Sequence, residues 1–233
     1  MLDLEKHKQI IENNRKISEL LSENEQLLRD AGFAPPKTNV ALKADEKIVF
    51  PSGYIRTVAF FNAKYHLNDL FPNWEKRNNI AYALEVSDLL NYLMNRFNLW
   101  GPVITVLYKL AIVNLVSIME ALLLEAANNI CSKASTCKRT TSCKNHLSKD
   151  ERNNARKAVE KLNLIGVLDL SADQVSRIQD IIELRNRIHI RLAAGNELRM
   201  RDFTLELYNE VIGFLQLIDT QLFENGFPRY FRC

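Results

Sequence analysis

PVITVLYKLAIVNLVSIMEALLLEAA, residues 102–127, is the most apolar stretch of the chain, and the architecture is inferred outward from it. Lys109, Asn114 and Glu120 interrupt the run. Two potential charges in hydrocarbon are costly, so the stretch reads as a buried helix rather than a membrane span. Around it the chain carries only seven Gly and six Pro in 233 residues, with long aliphatic runs at three-to-four spacing, which predicts an almost wholly α-helical protein. That length suits one or two domains. A composition 47% hydrophobic and 25% charged excludes collagen-like, low-complexity and intrinsically disordered classes.

On the N-terminal side of this stretch the helical pattern runs from Asn73 to about Asn98 and breaks at Gly101-Pro102; on the other side it continues to about Ile130. A polar loop through Leu147 follows. Ser148-Lys149-Asp150-Glu151 and Ser171-Ala172-Asp173-Gln174 then each fit a capping box, in which the serine hydroxyl accepts from a backbone N–H and the Glu or Gln reaches back. Asp202 is the expected cap of the last helix, whose stripe runs through Leu205, Val211, Phe214, Leu215 and Ile218, and Gly226 is its expected left-handed terminator. The domain reading is a helix over residues 1–34, a linker with an irregular strap or small hairpin over 35–75, and a helical domain over 76–233. In the first of these, Ile10, Ile17, Leu20, Leu21, Leu27 and Leu28 form a narrow seam with Asn13, Asn14 and Asn24 on or near it, a pattern that fits either a short coiled coil or docking on the chain's own body.

Charges in Met1-Leu2-Asp3-Leu4-Glu5-Lys6 stand where a secretory leader needs apolar residues, so a cytoplasmic protein with no membrane association is expected. In that compartment the four cysteines, Cys233 among them, are expected as free thiols. Cys131, Cys137, Cys143 and His146 raise a zinc site, but the tight knuckles of structural zinc sites are missing, so no metal and no cofactor is expected. Residues 131–161 hold nine basic and three acidic side chains, whereas the whole chain is only +3. Lys138, Arg139, Lys144, Arg152 and Arg156 are accordingly candidate contacts to the phosphates of a polyanion, with a basic but merely solvated surface as the alternative.

The helix opened by Ser171 carries the most specific signal. At about 100° per residue, Val175, Ile181, Ile182, Ile188 and Leu192 gather around Ile178 as a buried stripe, and Arg185 and His189 fall within about 20° of its centre, one turn apart. A guanidinium on an apolar face needs its donors satisfied. Three explanations are open: a satisfied polar pair with Arg185 bonded to Glu120, a subunit interface, or an active site in which the histidine is acid or base and the arginine holds a phosphate.

Leu184-Arg185-Asn186-Arg187-Ile188-His189-Ile190, late in an all-helical chain and after the apolar helix containing Val113-Asn114-Leu115-Val116-Ser117-Ile118-Met119-Glu120-Ala121-Leu122, resembles the HEPN superfamily (higher eukaryotes and prokaryotes nucleotide-binding) over roughly residues 76–225. Its motif here is a short form, with three residues between Arg185 and His189. The resemblance implies an all-α HEPN-like helical bundle, to which the N-terminal helix is an extension. It further implies a metal-independent endoribonuclease, of the kind found in toxin, phage-defence and RNA-processing systems. Arg185, Asn186 and His189 would be catalytic, with Glu120 supporting them. It also implies a homodimer in which the motif helices face each other, rimmed by Ile178, Ile182, Ile188 and Leu192, and an antitoxin or other protein partner. The alternative is a non-catalytic HEPN-like domain that dimerises or binds a nucleotide or a protein.

Overall fold

The computed structural model describes residues 3–32, 45, 47–49, 53–65, 67, 71–133, 148–186 and 202–227. Every regular element among them is an α-helix, and the chain divides into two units, Met1–Pro51 and Ser52–Cys233. This boundary differs from the expected domain limits because the segment after residue 52 folds as part of the larger unit.

The first unit is built on α1 (Leu4–Asp30). Asp3 caps it by accepting from the Glu5 N–H, and Gly32 at φ +84° ends it. None of its residues is buried.

The second unit begins where the strap or hairpin was expected and instead forms a short helix, α2 (Val58–Lys64). The reason is local. Thr57 accepts from the Phe60 N–H as an N-cap, and winding the apolar run sets Phe61 and Tyr65 one turn apart, both buried. α3 (Trp74–Arg96), capped by Asn73, and α4 (Gly101–Lys133) follow. The Gly101-Pro102 break is the first turn of α4, a position where the N–H that proline lacks has no helical partner. The remaining helices are α5 (Lys149–Asn153), α6 (Ala155–Leu164), α7 (Ala172–Asn186) and α8 (Leu205–Glu224).

α4 is the axis of this unit, packed by α3, α5, α6, α7 and α8. Ile112, Val116, Met119, Leu122, Leu123 and Ala126 are all fully buried on it. Among the described residues it is the one helix long and apolar enough to cross a membrane, and 61% of its most apolar window lies inside the fold. Both capping boxes form: Ser148 with Glu151, and Ser171 with Gln174 in reciprocal bonds of 2.9 and 3.2 Å. Asp202 is not the cap of α8. Thr204, two residues on, accepts from the Leu207 N–H, because a side chain bonding the third helical N–H must sit immediately before Leu205.

Candidate active site

Two helices position the residues singled out by the sequence. On α7, Ile178, Ile181 and Ile182 are buried against the core, and the same stripe one turn later presents Arg185 where the helix leaves it. On α4 the corresponding polar position is Glu120. The Arg185 Nη1 lies 3.0 Å from Glu120 Oε2, the arginine side chain 43% exposed and the glutamate 16%. Burial pushes the Glu120 carboxyl above the usual carboxylate value, and the Arg185 guanidinium pulls it part of the way back. The arrangement is an arginine ion-paired with a largely shielded acid while 43% of its own side chain stays exposed. Such a guanidinium can hold an anion without leaving its anchor.

Asn186 is the last residue of α7, and its side chain lies outside the described residues, as do His189, Lys138, Arg139 and Lys144. Cys137, Cys143 and His146 also lie outside them, and no cluster of three metal-ligating side chains occurs among the described residues. Ile178 and Ile182 cannot rim a subunit interface, because the chain's own core buries them to 0% and 2% exposure. Ile188 and Leu192, the other two residues of that expected rim, lie outside the described residues.

Acids of the basic segment pair with its own lysines, and one of its basic side chains is neutralised from outside the segment. Arg156 is paired to Glu183 at 3.0 Å, Lys157 to Asp150, and Lys161 to Glu151 at 3.9 Å. Arg156 therefore spends its charge tying α6 to α7. Arg152 is exposed on α5 and makes no side-chain ion pair with a described residue.

Two ionic arrangements escaped the sequence reading. Glu125, the acid that follows Glu120 on α4, is buried and receives Lys76 of α3 at 2.9 Å. Arg56 binds Asp88 through Nε at 2.7 Å and Nη2 at 2.6 Å, donates to the Tyr65 hydroxyl at 2.8 Å, and lies 5.0 Å from the centre of the Phe61 ring. This staple holds α2 on α3 beside a cleft of about 310 Å³ that Tyr54, Tyr92 and Arg96 help to line. The spacing of Glu125 from Glu120 on one helix was a readable signal. Arg56 and Asp88 are 32 residues apart, in segments sharing no periodicity, and carried none.

Comparison of the chain with protein-family models, curated proteins and solved structures finds no match.

Proposed function

We propose that the protein is a HEPN-like, metal-independent endoribonuclease whose reaction is carried by Arg185 and His189. The observation that supports this most directly is the Arg185 side chain: held by Glu120 at 3.0 Å yet 43% exposed, it is positioned without being sealed in the core. An arginine serving only to satisfy the interior would be expected to bury its fork against its partner.

In the reaction, His189 removes the proton from a ribose 2′-OH, whose oxygen attacks the adjacent phosphorus. The bond from phosphorus to the 5′ oxygen breaks, and that oxygen takes up a proton. The products are a 2′,3′-cyclic phosphate and a 5′-hydroxyl, so water is not consumed in this step. Arg185 stabilises the charge that grows on the non-bridging oxygens, and Asn186 orients the phosphate or the imidazole. Lys138, Arg139, Lys144 and Arg152 hold the RNA backbone. Two motif helices from a homodimer would place two arginines and two histidines around one phosphate. An antitoxin or other partner protein would act by covering that site.

The second reading is a non-catalytic HEPN-like scaffold, and it too has an observation in its favour: the Glu120–Arg185 pair ties α7 to the central α4, a role complete without RNA. Incubating purified protein with total RNA in EDTA separates the two. Cleavage by the wild type that disappears in His189→Ala supports the enzyme; intact RNA with both proteins supports the scaffold.

A further inference from the structure

α1 is 27 residues long, and four apolar residues along it are exposed: Ile10 at 40%, Ile17 at 51%, Leu20 at 59% and Leu27 at 60%. Helices in proteins draw most of their stability from packing an apolar face against a partner, and this seam is uncovered. Ile10, Ile17 and Asn24 stand seven apart, and Asn13, Leu20 and Leu27 stand seven apart three residues later, which are the a and d positions of a heptad.

The seam is symmetric about the point between Ser18 and Glu19. If a second copy is laid on it in the opposite direction, Ile10 meets the second copy's Leu27, Ile17 its Leu20, and Asn13 its Asn24. Every layer then joins like to like, apolar to apolar and amide to amide. The flanking g positions carry Gln9, Lys16, Glu23 and Asp30. In the antiparallel arrangement g faces g, so Lys16 meets Glu23 and Gln9 meets Asp30, each twice by symmetry. In a parallel pair g faces e instead, and Lys16 and Glu23 would meet Leu21 and Leu28, two charges set against leucines. The asparagine layers suit either direction; the charges choose one.

We infer that α1 self-associates with a second copy of this chain as an antiparallel, two-fold coiled coil centred between Ser18 and Glu19, its direction set by the Lys16–Glu23 pairs. The two-fold axis crosses the helix, so the contact is isologous and closes at two chains. Asn13 and Asn24 fix the register, because a slip of one heptad breaks both amide layers and sets one amide of each chain against a leucine or isoleucine. Lys16 already lies 3.5 Å from Glu12 of its own helix at an exposed position, and its flexible stem serves both carboxylates. This inference is independent of the ribonuclease reading: it concerns residues 3–31 alone and requires no activity.

The test is charge exchange in the full-length chain, read by sedimentation equilibrium, with helix content followed by circular dichroism. Lys16→Glu and Glu23→Lys each turn two attractive pairs repulsive and should each weaken the dimer about tenfold. The double variant Lys16→Glu/Glu23→Lys should restore it. An equimolar mixture of the two single variants should also recover the wild-type affinity, because at these two positions one chain then carries only glutamates and the other only lysines, so both facing pairs are attractive again. Recovery in the mixture is specific to the antiparallel pairing. A wild type that is monomeric at micromolar concentration, or single variants that dimerise as tightly as the wild type, would overturn the proposal. The second of these outcomes would leave a dimer formed by the motif helices untouched.

Discussion

Arg185 and Glu120 form a pair in which the two partners are unequally exposed to water, and their pH response follows from that. The Glu120 carboxyl is held above its ordinary value by burial, against the pull of Arg185. A group whose folded pKa is raised contributes stability that is complete below its unfolded value and is lost as pH rises through the folded one. Removing the guanidinium raises that pKa further, so Arg185→Ala should cost most at neutral pH, about 1 kcal/mol for a half-exposed partner. The cost should shrink as acid protonates Glu120. Urea denaturation of wild type and variant at pH 7 and pH 4 checks this, and a pH-independent difference would mean that Arg185 stabilises through packing of its stem alone. This pair was legible in the sequence because each member was a polar residue on an otherwise apolar stripe. Arg56 and Asp88 were not, since a bond between an irregular segment and a helix leaves no trace in the spacing of either.

At the scale of the element, the ends of helices were legible where one residue decides the geometry. Gly226 ends α8 at φ +84°, with the Phe227 N–H donating to the Leu222 carbonyl at 3.0 Å and the Gly226 N–H to the Phe223 carbonyl at 3.0 Å. Phe227 and Leu222 are both buried, which gives the closing apolar contact of the motif. A Cβ at Gly226 would meet nothing within 4 Å, so the cost of Gly226→Ala lies in the backbone alone. It should be about 1 kcal/mol, read as a lowered denaturation midpoint with an unchanged urea slope. Where two neighbours could serve, the sequence was ambiguous: Asp202 and Thr204 both suit a cap, and only the position of the first helical turn separates them. α2 was missed for a related reason. Seven residues span too little of the helical period to distinguish it from a strand, and the arbiter is burial of Phe61 and Tyr65 by residues far along the chain.

For the whole molecule, composition located the basic segment but overstated its free charge, because Glu183, the acid that neutralises Arg156, comes from another helix outside the segment. Counterion release counts only side chains that reach phosphates. Neutralising Lys138, Arg139, Lys144 and Arg152 together should therefore flatten the dependence of RNA affinity on salt. Arg156→Gln should leave that slope nearly unchanged while loosening α6 from α7. Filter-binding titrations across a salt series measure both, and equal flattening by Arg156→Gln alone would mean that RNA draws Arg156 away from Glu183.

Arg185 and His189 are proposed to act on RNA without metal. The most direct test is the cleavage rate of one defined RNA in EDTA by wild type, His189→Ala and Arg185→Lys, with the new ends identified chemically. Arg185→Lys keeps the positive charge beside Glu120 and should fold as the wild type does, yet it loses the planar fork and should cleave roughly a hundredfold more slowly. His189→Ala should fall to background, and the wild-type product should carry a 2′,3′-cyclic phosphate and a 5′-hydroxyl. Wild-type rates in both variants, or no cleavage by the wild type itself, would contradict the account.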